Sequence, residues 1–198
     1  MNAIDPNLIK QATEWRRHLH AHPELSEQEE QTAAFVSQQL TALGVEHETG
    51  IGRHGIVATL RRPSIGLRAD MDALPIHEAN SFGHASQNAG VMHACGHDGH
   101  TAALIATAAA LKADESWTGT INLIFQPAEE NGQGAKAMIA DGLFQRYPME
   151  KLFAWHNWPG VPLGQVAVHT RPSMAAGGDW RVVLKGLAGH AAMPHLTR

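Results

Sequence analysis

Residues 121–130, Ile121-Asn122-Leu123-Ile124-Phe125-Gln126-Pro127-Ala128-Glu129-Glu130, begin as an apolar run and end on two carboxylates. Large apolar side chains up to Phe125, then a proline with no N–H to donate, read as a buried strand over Ile121 to Phe125. Upstream, His93-Ala94-Cys95-Gly96-His97-Asp98-Gly99-His100 opens an alanine-rich helix that runs to about Lys112. Before it, Ile65 to Ala69 is a second apolar run flanked by proline and charge. Downstream, Gly134 to Asp141 reads as a helix with Gly142 at its end, and Leu152 to Trp155 as another apolar strand. Strands alternating with helices in this way predict an α/β sheet.

Working outward, Asp5-Pro6 supplies an N-cap and a proline at the first helical position, and Leu8, Ala12, Trp15 and Leu19 form one apolar face. His22-Pro23 ends that helix. Ser26-Glu27-Gln28-Glu29 reads as a capping box for a second helix with a face of Ala33, Val36, Leu40 and Leu43, closed by Gly44. Val45 to Thr49 alternates as a strand, Gly50 to Gly55 as a turn, and Ile56 to Leu60 as a further strand. Residues 78–92 are a polar loop. Past the Pro/Gly loop Asn157 to Gly164, Gln165 to Thr170 and Trp180 to Lys185 read as strands with no helix between them. A domain boundary is therefore expected between Pro172 and Gly178: residues 1–172 form the main domain, and 173–198 begin a second one.

Composition narrows the class. The 198 residues carry 15 Lys+Arg against 19 Asp+Glu, a net charge of -4, which speaks against nucleic acid as a partner. A 43% hydrophobic content supports a folded core. One cysteine rules out an intrachain disulfide. Met1 to Lys10 holds no apolar signal segment, and Thr101 to Leu111 is too short to span a bilayer, so a cytoplasmic protein without membrane contact is expected. The unusual count is histidine, 14 residues, the side chain that most often binds metals. Position has to decide which of them matter.

In an α/β sheet, ligands gather outside the carboxyl ends of the strands. Asp70-Met71-Asp72 follows one predicted strand, Glu129-Glu130 another and His156 a third, while Cys95 and His97 precede the alanine-rich helix. Thiolate, imidazole and carboxylate are the donors zinc takes. Cys95 and His97 sit two apart with Gly96 between them, so both can turn toward one centre. Glu130 and His156 complete a ligand set, leaving Glu129 free as a general base. Asp72 is placed to hold a ligand imidazole in the right tautomer. Cys95 favours Zn²⁺, while the carboxylates also accept Mn²⁺. Singly, each has a plainer reading: a lone cysteine is commonly core, paired glutamates commonly solvated, a lone histidine commonly a satisfied core residue. His18, His20, His22, His47, His77 and His169 are read as surface or capping residues. A cysteine nucleophile at Cys95, near His93, His97 and His100, is a competing reading, as is a non-catalytic metal- or ligand-binding remnant.

Three segments resemble the signature segments of the M20 metallopeptidase family: Gly66 to Ile76, Met92 to Asp98, and Phe125 to Glu130. More narrowly they are similar to its amidohydrolase branch, which includes hippurate hydrolases, N-acyl-amino-acid amidohydrolases and auxin-conjugate hydrolases. The resemblance implies a zinc-aminopeptidase-like α/β catalytic domain with a mixed sheet flanked by helices, and the start of an α+β lid domain that forms a homodimer. It implies two divalent metal ions, zinc or manganese with cobalt or nickel as alternatives, and small N-acyl amino acids as substrates. It makes Cys95, His97, Glu130 and His156 metal ligands, Glu129 the general base and Asp72 a supporting aspartate. Gly189 to His195 is similar to the lid segment whose histidine helps bind the scissile carbonyl, which gives that role to His190. Family members run to about double this length and carry a last ligand histidine near the C-terminus. The chain is therefore expected to be the N-terminal part of such an enzyme.

Overall fold

The computed structural model describes residues 4–60, 65–114, 116–172, 174–175, 177–178, 180–183 and 185–196. Its elements are α1 (Pro6–Ala21), α2 (Glu30–Ala42), β1 (His47–Ile51), β2 (Gly55–Leu60), β3 (Ile65–Asp70), α3 (His97–Ala113), β4 (Ile121–Gln126), α4 (Gly134–Ala140), α5 (Leu143–Arg146) and β5 (Lys151–Ala154). A single turn of 3₁₀ helix follows at Pro194–Leu196. The strands form one mixed sheet in the order β1-β2-β4-β3-β5. β3 is parallel to both β4 and β5, while β2 is antiparallel to β1 and β4. This is the expected mixed sheet flanked by helices.

Period-two alternation decides which side chains meet which helices. Ile56 and Ala58 on β2, with Leu123 and Phe125 on β4, face a core built with Trp15, Leu19, Val36, Leu40, Leu104 and Ile105 of α1, α2 and α3. Val57 and Ile124 point the other way, onto Ile51, Met138 and Leu143, under α4 and α5. Each such fully buried side chain contributes roughly 1.5–3 kcal/mol. With both faces of β2 and β4 covered, a polar ligand reaches this part of the sheet only at the strand ends. α3 carries the chain from β3 to β4, and α4 and α5 carry it from β4 past β3 to β5. All three parallel strands consequently end on the same edge.

Several expectations are corrected. Ser26 does not cap α2: its hydroxyl donates to Asp72, and Glu29 turns inward, so no capping box forms. Glu24 serves instead, accepting from the amides of Gln31 and Thr32. His20 is buried, not a surface residue, bridging Asp98 at 2.8 Å and Glu78 at 3.0 Å. The alanine-rich helix starts at His97 rather than His93, because Gly96 breaks the backbone with φ +97°. Of the strands expected at Gln165–Thr170 and Trp180–Lys185, the described residues form neither. They have no neighbouring strand to pair with, and alternation alone does not make a ladder; residue 184 lies outside the described residues.

The chain divides into two units, Met1–Asn157 and Trp158–Arg198. The expected 172/173 boundary falls inside the second. Among the described residues of that second unit, the 3₁₀ turn is the only helix or strand. No helix among the described residues is long and apolar enough to cross a membrane.

Leu40 is fully buried on the α2 face. Leu40→Ala should lower unfolding free energy by about 2–5 kcal/mol, read from the midpoint of urea denaturation, while the strand-end residues stay untouched.

Candidate metal centre

Asp70, Gln126 and Ala154 end the three parallel strands, and the polar segments that follow them converge with the start of α3. Cys95 Sγ lies 3.4 Å from His156 Nε2. His97 Nε2 is 3.8 Å from Glu130 Oε1. One donor atom each from Cys95, His97 and His156 falls within a span of 4.8 Å, and the same holds for His97, Glu129 and Glu130. The other three expected ligands and the expected base therefore surround one imidazole, His97.

That imidazole is fully buried, and its Nε2 has no hydrogen-bond partner among the described residues. Its Nδ1 faces the backbone carbonyl of Asp72 at 2.8 Å and the Asp72 carboxylate at 3.3 Å. With two acceptors on that side, Nδ1 carries the hydrogen and the Nε2 lone pair is turned to the cluster. A buried lone pair without a donor is costly to leave bare, and beside a thiol, a carboxylate and a second imidazole it fits a cation. Gly96 makes the Cys95–His97 spacing work, since a Cβ at this residue would come within 2.5 Å of Asn157 Oδ1.

Electrostatics say the same. Burial, then the charge of Glu130, pushes the Cys95 thiol up to about 11. Burial also raises Glu130, reinforced by Glu129 and Asp72 against the pull of His97. Acids crowded about a single imidazole resist ionising, and a divalent cation relieves that repulsion. A thiol held this high is a poor nucleophile by itself, which counts against the cysteine-enzyme reading. Asp72 behaves differently: burial works to raise it, but hydrogen bonds from His97, Ser26 and the Glu130 and Glu129 amides bring it below the ordinary aspartate value.

The arm bearing Glu129 and Glu130 has an irregular backbone. Ala128 sits at φ +47°, a left-handed conformation costing an L residue roughly 1–2 kcal/mol. Gly134 packs so tightly beneath it that an added Cβ would lie 1.6 Å from Pro127 O. His190 belongs to the second unit, where it is exposed and its Nδ1 accepts from the Ala192 amide at 3.2 Å.

Sequence reasoning passed over Asp70, His100 and Asn157. His100 donates from Nδ1 to Asp70 at 2.6 Å and meets Asn157 through Nε2. Arg68 reaches the other Asp70 oxygen at 2.8 Å. The available signal was His100 at three residues from His97, which puts both on one helix face. His93 was also unassigned: it is buried, with neither ring nitrogen partnered among the described residues, and burial pushes it down to about 4.

Fold and site together define an α/β domain with a candidate metal centre at its strand ends. The chain belongs to peptidase family M20/M25/M40, whose model matches residues 66–190. It is 44% identical over 193 residues to N-acetyl-L-cysteine deacetylase of Bacillus subtilis, covering 95% of this chain and 46% of that protein. To hippurate hydrolase of Campylobacter jejuni it is 42% identical over 187 residues, covering 92% and 49%. A Bacillus subtilis crystal structure, described as a dinuclear metal binding peptidase from the M20 family, superposes with a TM-score of 0.76 at 38% identity, covering 81% of this chain and 46% of that one. The chain spans about half the length of the curated relatives it matches.

Burial acts to raise the Asp70 carboxyl, but the His100 hydrogen bond and the Arg68, His97 and His100 charges overcome it and hold it at about 2, against 3.8 in a free chain. A depressed carboxylate stabilises the fold above the unfolded value and loses that contribution as pH falls toward the folded one. Urea unfolding from about pH 5 to about pH 2 should therefore show a loss on the order of 2 kcal/mol that Asp70→Asn does not show.

Proposed function

We propose that this chain carries the catalytic residues of an amidohydrolase that cleaves the amide bond of N-acyl amino acids and related small conjugates. The observation that carries the reading is the convergence of Cys95 just ahead of α3, Glu130 after β4 and His156 after β5 around His97, whose Nε2 is bare. The substrate class is supported by relatives named as an N-acetyl-L-cysteine deacetylase and a hippurate hydrolase.

In this reading Cys95, His97, Glu130 and His156 hold divalent cations, two of them in the complete site, with zinc or manganese the best match to the donors. Bound there, the cations supply Lewis-acid polarisation of the scissile carbonyl and acidify the attacking water. Glu129 takes the proton from that water and returns it to the leaving amine, so the amide nitrogen departs as a neutral amine. Asp72 keeps the His97 ring in the tautomer that presents Nε2. His190 is assigned the carbonyl oxygen, where its ring N–H offsets developing negative charge. Residues 173–198 begin the lid through which the protein forms a homodimer. The acidic charge balance supports a small-molecule substrate over nucleic acid or membrane, and the reading places the enzyme in the cytoplasm.

Glu129→Gln should leave bound zinc or manganese unchanged, measured by elemental analysis, and cut turnover of hippurate or N-acetyl amino acids by about 10²-fold or more. Near-normal turnover in that variant removes Glu129 from the role. Chelation should abolish activity and added Zn²⁺ or Mn²⁺ should restore it. Activity that survives chelation favours a Cys95 nucleophile, and bound metal without turnover favours a binding remnant.

A further inference from the structure

Glu29 is a fully buried carboxylate to which the chemistry above gives no task. Its Oε1 accepts from the Ala128 amide at 2.6 Å, across 99 residues of sequence. The partner is an unusual one, since Ala128 is itself buried and holds the left-handed φ described above. The Ala128 carbonyl accepts in turn from the Gly134 amide at 2.9 Å, so both backbone groups of this residue are pinned. The next two residues are Glu129 and Glu130, and the Glu130 amide is tied to Asp72 Oδ2 at 3.0 Å. The arm is thus fixed on both sides of Glu129.

The segment that delivers Glu29 is committed to the same purpose. The Ala73 amide donates to Glu24 O at 2.7 Å, anchoring residues 24–29 beside the end of β3. Ser26 then reaches Asp72. Because Glu24 already caps α2, neither Ser26 nor Glu29 is needed for that helix, and both are free to face the centre.

We infer that Glu29 is a positioning residue: it holds Ala128 in its left-handed turn and so aims Glu130 at the cation and Glu129 at the substrate. What matters is the reach of its oxygen rather than its charge. The inference rests on the reading of Glu130 as a cation ligand.

The test is Zn²⁺ affinity of the chain, by competition with a chromophoric chelator, in Glu29→Gln, Glu29→Asp and Glu29→Ala, with folding checked by circular dichroism. Gln keeps an acceptor oxygen at the same reach, whereas Asp keeps the charge one methylene short. Gln should stay within about 3-fold of the native chain, and Asp and Ala should weaken binding by roughly 10-fold or more. In a Glu130→Ala background the Glu29→Asp loss should vanish, because the two act through one ligand. Native affinity in Asp with loss in Gln overturns the inference in favour of charge, and a full loss persisting without Glu130 overturns it in favour of a general packing role. Should Ala fail to fold, the order of Gln and Asp decides. A native chain that takes up no Zn²⁺ sinks the metal reading itself, a result distinct from variants that match a native chain that does bind.

Discussion

Asp72 is the residue from which the rest of the centre hangs. Its carboxylate takes the Ser26 hydroxyl and the Glu130 amide on one oxygen and faces His97 Nδ1 with the other. Three segments far apart in sequence are thereby joined: the turn between the first two helices, the start of α3 and the acidic arm after β4. This works only while Asp72 is ionised, since a protonated carboxyl gives up acceptor capacity. Burial opposes ionisation and the donors around it win. The cluster is therefore organised from below, by an anion that does not itself count among the proposed ligands.

The sheet supplies the levelling. Asp70 pairs with Gln126 in the β3–β4 register, and Arg68 pairs with Ala154 in the β3–β5 register. Continuing the latter by two residues brings His156 level with Asp70. Parallel strands in this register release their chains at one height, so side chains from three strands can meet without long loops. The antiparallel pair β1 and β2 lies outside this arrangement and provides core rather than site.

What could be read from sequence was what depends on near neighbours. The α1 cap is local: Asp5 accepts from the Asn7 amide two residues on. Strands β2 to β5 are likewise legible, because apolar runs broken by proline, glycine and charge carry their own signal. The clustering of the candidate ligands could be anticipated because they follow strands or open α3, and because the segments holding Asp72, Cys95, His97 and Glu130 resemble a known family. Most of the failures are long-range. Ser26 and Glu29 have the spacing of a capping box, yet their partners lie 46 and 99 residues away. His20 looked solvated because nothing near it in sequence announces Glu78 and Asp98, 58 and 78 residues off. Strand order was equally hidden, since β4 inserts between β2 and β3 and no local pattern records that.

The high thiol pKa of Cys95 has a practical side. Burial and the neighbouring carboxylates disfavour the thiolate when no cation is present, and alkylating agents and peroxides attack that form. The cation-free chain should accordingly react slowly with iodoacetamide at this sulfur. Without a cation, then, this cysteine is set up as a quiet thiol in the middle of the candidate metal centre.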